Sequence, residues 1–201
     1  AMLEVMQEHQ VTVGGELYSM PEVFTVIATQ NPIEQEGTYL LAEAQLDRFL
    51  LKERLTYPTQ EQELEILNRM EKDVFKTQQA VASIEDVIYL QEITKRIYID
   101  DAVKKYIISI VNATRYPQKY IKPDLAEYIT MGASTRGAIA LMDVAKAVAV
   151  MRGKDYVTPE DVKVLIHSVL RHRISLNYAA VADGVTEEQI IDAIVGAIQT
   201  P

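Results

Sequence analysis

The apolar residues of this chain change their spacing at Pro58. After it they recur three and four residues apart, the spacing that gathers them on one face of a helix. Val103, Ile107, Ile110 and Val111 form one such stripe, and Ala138, Leu141, Met142, Ala145, Val148 and Ala149 form another. The second segment is apolar on its other sides too, at Ile139, Val144 and Ala147, which predicts a helix at the centre of a bundle. Helix starts are marked at Thr59-Gln60-Glu61-Gln62 and Thr186-Glu187-Glu188-Gln189, where the first and fourth side chains can satisfy free N–H groups of the first turn. Ser83 and Thr158 read as further starts, the latter with Pro159 in the favoured first helical position.

Before Pro58 the runs are short and β-prone. Val11–Val13 and Glu16–Tyr18 flank Gly14-Gly15, a pair able to take the positive φ angles of a tight hairpin. Val23–Ala28 is a nearly continuous β-branched run, predicting a strand covered on both faces as in a parallel sheet. Pro32 ends it, because proline has no N–H to give and restrains the residue before it. A polar loop to Tyr39, a short helix over Ala42 to Arg48 and a second strand over Leu51–Tyr57 complete this part. The organisation is thus an α/β piece at 1–57 and an all-helical domain at 59–201. A doubly covered strand needs neighbours, and Ala1 to Glu8 reads as mid-helix with no cap. The expectation is therefore a portion of a longer protein, with the other strands upstream of Ala1.

Composition narrows the function. A formal net charge of −9 argues against nucleic acid as the main partner, since phosphate contacts need clustered Lys and Arg. With no cysteine there is neither a disulfide framework nor a thiolate metal site. His9, His167 and His172 are too dispersed to suggest a metal centre and read as surface or packing residues. No apolar run reaches the length of a membrane span, and no signal peptide is visible, so a cytoplasmic location is expected.

Three constellations could carry chemistry. Asn31, in Thr29-Gln30-Asn31-Pro32, follows the strand end where open α/β sheets bind ligands, and an amide there can hold a water; from position alone, capping a turn is the simpler account. In Glu43-Ala44-Gln45-Leu46-Asp47-Arg48-Phe49, Leu46 and Phe49 are spaced to face a core, leaving Asp47 and Arg48 outward. Arg48 could fork onto a phosphate of a neighbouring subunit or make a surface ion pair of little worth. In Gly132-Ala133-Ser134-Thr135-Arg136-Gly137, Ser134 can cap the central helix and put Arg136 in its first turn, where positive charge is unfavourable unless an anion sits nearby. Arg171-His172-Arg173 lies at a helix C-terminus, where positive charge is favoured, and needs no functional account.

In order and wording these motifs resemble the MoxR family of AAA+ ATPases. The match runs from LEVMQE through QVTVGGELYSMPE, VFTVIATQNPIEQEGTY and EAQLDRFLLKERLTYP to GASTRGAIAL, RGKDYVTPEDV and VLRHRI, nearly the whole chain. The resemblance implies the C-terminal part of a P-loop AAA+ α/β core followed by an all-α helical lid. It implies that Asn31 is sensor 1, placing the attacking water, and that Arg48 is an arginine finger reaching the ATP of the adjacent subunit. Arg136 becomes sensor 2 on the lid, and the hairpin at 9–20 would face a pore or partner. It further implies ATP and Mg2+ as cofactors, a homo-oligomeric ring of six, and partner proteins, some with von Willebrand factor A-type domains, that are remodelled or matured. Two features depart from the pattern. Leu40-Leu41-Ala42 stands where the family commonly has prolines, and no G-x-x-x-x-G-K-[ST] loop occurs, Gly153-Lys154 being followed by Asp155. The chain by itself is accordingly expected not to hydrolyse ATP. The rival reading is a helical protein-interaction module with no part in hydrolysis.

Overall fold

A computed structural model describes residues 5–6, 8–30, 41–72 and 79–201. Val5, Met6 and Glu8 are helical, and the chain then enters a hairpin of β1 (Gln10–Val13) and β2 (Glu16–Ser19), antiparallel with Val13 opposite Glu16. Gly14 and Gly15 form its turn with φ of 61° and 88°, the conformation that glycine reaches without a Cβ penalty.

The expected strands at Val23–Ala28 and Leu51–Tyr57 are not present as strands. A strand is defined by its ladder, and the described residues supply neither segment with a partner. Their apolar side chains are only partly covered: Phe24 meets the His9 ring at 5.1 Å, but Ile27 is 85% exposed and Leu55 97%. Between them the short helix α1 (Glu43–Leu46) forms where the sequence placed one.

The helical part follows its capping signals closely. α2 (Gln60–Glu71) begins at a Thr59–Gln62 box, and α3 (Ile84–Arg96) at a Ser83–Asp86 box. α4 (Asp101–Arg115) is capped by Asp100, a start the sequence reading passed over. A 3-10 turn (Pro117–Lys119), α5 (Pro123–Ala126) and β3 (Ile129–Met131) lead to α6 (Thr135–Met151), capped by Ser134. α7 (Pro159–Val164), α8 (Ile166–Leu170), β4 (Ser175–Leu176), α9 (Tyr178–Ala182) and α10 (Glu187–Ala197) complete it, with β3 and β4 pairing antiparallel across a bulge.

α6 is the central helix, packed against α3, α4, α7 and α8, as its all-round apolar character predicts. Val103, Ile107, Ile110 and Val111 of α4 meet Leu141, Val144, Ala145, Val148 and Ala149 of α6 in one core, which α10 closes with Ile190, Ile191 and Ile194. Ile139 and the terminal Met151 are the exceptions on α6, 52% and 87% exposed. A buried ion network ties the end of α6 to the start of α7. Asp161, 0% exposed, accepts from Arg152 Nη1 at 2.7 Å and from the Thr158 N–H and hydroxyl, both at 2.8 Å. Burial alone would raise its pKa, but the Thr158 and Arg152 hydrogen bonds overcome that and hold it below the usual carboxylate value.

Candidate functional site

Gly132 sets the position of the α6 N-terminus. A Cβ there would stand 2.3 Å from the Thr114 carbonyl oxygen, so the chain can cross the end of α4 only with glycine. Ala133 is fastened on both sides of that crossing. Its N–H donates to Thr114 Oγ1 at 2.9 Å, and its carbonyl accepts from Arg115 Nε at 2.7 Å. The next residue, Ser134, caps the helix by accepting the Arg136 N–H at 3.1 Å.

The anion that the cationic first turn called for is Asp47. Its Oδ2 accepts the Ser134 hydroxyl at 2.7 Å and lies 3.4 Å from Arg136 Nη1. Its Oδ1 accepts Arg173 Nε at 3.1 Å. Asp47 is therefore not outward as the spacing of Leu46 and Phe49 suggested; its side chain is 14% exposed. Two arginines and a helix N-terminus attract it strongly enough to turn it onto the helical domain. Arg136 is half-exposed, and its contact with Asp47 is long, so this arginine is held only loosely.

Arg48 is partly buried, and its buried Nη1 has no hydrogen-bond partner among the described residues. It lines a cavity of about 160 Å³ together with Arg136, Asp47, Asp143 and Arg173. The structure thus brings two of the three sequence-assigned residues to one opening. Asn31, the third, lies outside the described residues. A cavity of this size fits a phosphate-sized group and not a nucleotide, since ligand sites usually run to roughly 300–1,000 Å³. Burial raises the Asp143 carboxyl above its usual value, against the pull of Lys146.

Arg173 is the residue that sequence reasoning misjudged. Its side chain is 2% exposed, and its guanidinium spends most of its donors on one stretch of chain. Nη2 donates to the carbonyls of Asp47 at 3.1 Å and Phe49 at 2.6 Å, Nη1 to those of Leu50 at 3.2 Å and Val169, and Nε to the Asp47 carboxylate. Burial lowers its pKa, with Asp47 opposing. Neighbouring His172 donates from Nε2 to the same Phe49 carbonyl at 2.9 Å. Its pKa falls to about 4, first through burial and next through the charge of Arg173, so it is neutral at pH 7. His167 instead lies at the surface, 2.8 Å from Asp192. A helix-terminus account does not cover the Arg171–Arg173 cluster. The signal available in the sequence was the pairing of an LDRF segment with a second cationic cluster, which spacing alone could not connect.

Among the described residues no group of three or more His, Cys, Asp or Glu is placed to hold a metal ion, and no helix is long and apolar enough to cross a membrane.

Two family descriptions match the chain: the ATPase family associated with various cellular activities (AAA) over residues 1–51, and the AAA lid domain over residues 123–194. Chaperone MoxR1 of Mycobacterium tuberculosis is 42% identical over the whole chain, which spans 53% of that protein. The chain belongs to the MoxR family of AAA+ ATPases. YeaC, an uncharacterized protein of Bacillus subtilis, is 41% identical over the whole chain, which spans 60% of it. A crystal structure of a candidate ATPase from Cytophaga hutchinsonii superposes with a TM-score of 0.92 at 46% identity, covering all of this chain and 61% of the other. The chain therefore spans between half and two thirds of the length of these relatives. Its fold is the corresponding one, part of an AAA+ core followed by a helical lid.

Proposed function

We propose that this chain works within an ATP-hydrolysing ring in which Arg48 and Arg136 act together on one nucleotide. The observation that carries the reading is their shared cavity, with a guanidinium nitrogen on Arg48 that has no partner among the described residues and a loosely held Arg136. In this reading Asp47 holds Arg136 when no phosphate is present, and a γ-phosphate competes for it. A phosphate between two guanidinium groups is stabilised most as negative charge spreads over its oxygens in the transition state. Arg48 is the arginine finger, reaching the ATP of an adjacent subunit; sharing its cavity, Arg136 serves that same ATP rather than the one bound by its own chain. Asn31 is assigned to sensor 1, positioning the attacking water. Residues 1–57 are the core portion and residues 59–201 the lid, with the hairpin at 9–20 turned to the pore or a partner. ATP and Mg2+ bind through a phosphate loop that this chain does not contain. The ring is a cytoplasmic homo-oligomer, six subunits in the family pattern. It remodels or matures partner proteins, von Willebrand factor A-type domains among them. The family match weighs against a helical interaction module with no part in hydrolysis.

The test uses a full-length protein carrying this chain and its phosphate loop. Asn31, Arg48 and Arg136 are each changed to Ala, with ATP turnover and ATP binding measured separately. Arg48→Ala is expected to slow turnover by about 10³–10⁵-fold. Mixing it, or Arg136→Ala, with a hydrolysis-dead subunit that retains both arginines restores activity. Wild-type turnover in all three variants would falsify the site. Recovery for Arg48→Ala but not for Arg136→Ala would show that the two arginines serve different nucleotides.

A further inference from the structure

The backbone at Arg48 is bonded locally only to the short helix before it: the Arg48 N–H donates to the Gln45 carbonyl at 3.3 Å and the Phe49 N–H to the Leu46 carbonyl at 3.0 Å. After α1 ends at Leu46, residues 51–59 run to the next helix with neither helix nor strand. A four-residue helix and its turn, followed by such a segment, are fixed against the rest of the molecule only by bonds to something outside them. Here the lid supplies them. Arg173 bonds the carbonyls of Asp47, Phe49 and Leu50, one residue before Arg48 and two after it. His172 doubles the bond to Phe49. Farther along, the Lys52 N–H donates to the Ser168 carbonyl at 2.8 Å, and Arg171 Nη1 donates to the Lys52 carbonyl at 3.0 Å. Arg54 pairs with Glu187 and Glu188, both at 2.9 Å.

Arg173 itself is held from the other side. A Cβ on Gly137 would stand 3.4 Å from Arg173 Cδ, so the first turn of α6 leaves room for its stem, and Arg136 lies on that same turn. Burying a guanidinium is costly unless its donors are satisfied. Five donors in a rigid fork are what let one side chain hold three neighbouring carbonyls and a carboxylate at once. A lysine ammonium could keep the ion pair with Asp47 but could not span those carbonyls.

We infer that Arg173 is the positioning residue for Arg48: it latches the finger-bearing segment to the lid, so that lid and finger move as one body. The inference rests on the reading of Arg48 as a finger acting on a neighbour's nucleotide. Its consequence is a direct route between subunits. A shift of the lid in one subunit carries Arg48 toward or away from the ATP of the next, with no need for the sheet to transmit it.

The experiment is a double-mutant cycle in the full-length ring. Arg48→Ala, Arg173→Met, Arg173→Lys and the doubles of Arg48→Ala with each are compared for turnover, ATP affinity and assembly. Arg173→Met is expected to lower kcat between about 10- and 100-fold, the loss that a small displacement of a reacting group brings, while ATP affinity stays unchanged. Arg173→Lys is expected to fall between wild type and Arg173→Met. In the Arg48→Ala background neither change lowers kcat further, because the residue they position is gone. Mixing Arg173→Met with a hydrolysis-dead subunit carrying intact Arg48 and Arg173 restores turnover. Where Arg173→Met does not assemble, the cycle with Arg173→Lys decides. Full turnover in the Arg173 variant that assembles, or an equal further loss on top of Arg48→Ala, overturns the latch while leaving the finger in place. Wild-type turnover in Arg48→Ala overturns the finger reading itself, and the latch with it.

Discussion

From Ile97 onward the molecule buries a continuous apolar core; before Ile97 no described residue is buried. The two regions do not differ in apolar content so much as in what each can pair with. Ile27 and Leu55 are as hydrophobic as Ile110 and Leu141, yet the first two are almost fully exposed and the last two almost fully buried. Helices satisfy their backbones internally, so a helical segment needs only one face covered, and α4, α6, α8 and α10 cover one another. A β run must find both a ladder and a cover, and the described residues offer Val23–Ala28 no ladder and only a partial cover. The lesson is that a helical lid can be complete within a stretch of chain in which a sheet segment is not.

Hydrogen exchange gives the largest contrast. In a dilute solution of the 201-residue chain, amides of Ala138–Ala149 are expected to exchange only through opening of the lid core, and those of Val23–Ala28 at nearly the rate of unstructured peptide. Core amides in small domains are held by the global stability, commonly about 5–15 kcal/mol, so the expected separation is several orders of magnitude in rate. Equal protection of the two segments would break the comparison and require residues 1–57 to be self-sufficient.

Core truncation is the next largest effect. Leu141→Ala leaves a cavity at a site 1% exposed and is expected to cost about 2–5 kcal/mol in chemical denaturation. Leu55→Ala removes a side chain that touches mostly water and should stay within about 0.5 kcal/mol of the parent. A large loss from Leu55→Ala would mean that the segment after Arg48 is packed in solution.

The part of the fold legible in the sequence is the part decided locally. Capping boxes at Thr59 and Thr186, the Gly14-Gly15 turn and the α6 apolar pattern each depend on residues within a few positions, and each appears where expected. Ser134 as cap and Arg136 in the first turn were legible for the same reason. The site's wiring was not, because it joins residues 126 apart: nothing near Asp47 announces that Arg173 will draw it inward. The anion that relieves Arg136 was foreseen as a need and misassigned in kind, since a carboxylate of the chain itself fills it. The missing strands mark the opposite limit. The β-branched run states a preference, and a preference becomes a strand only where neighbours exist.

The smallest expected effect lies at the seam between the two regions. His172 belongs to the lid, but its Nε2–H bonds the Phe49 carbonyl, so it helps hold the exposed region against the buried one. Its pKa lies near 4 in the folded chain, below the ordinary 6.5, chiefly because it is buried and secondly because Arg173 faces it. Lys52 adds to the depression, and the Phe49 carbonyl and Asp47 oppose it. Between those two pH values the unfolded chain binds the proton that the folded chain refuses, so the contribution of His172 to stability is whole above pH 6.5 and declines as pH falls toward 4. One proton linked in this way is worth at most about 1.4 kcal/mol per pH unit. His172→Gln keeps an N–H for the Phe49 carbonyl and cannot titrate. Its denaturation midpoint should therefore fall less than that of the parent between pH 7 and pH 5, the difference between the two slopes being the share of His172. Parallel slopes would show that the seam opens to water before the lid unfolds, and that the strap from Asp47 to Lys52 is held by Arg173 and Arg171 without help from the histidine.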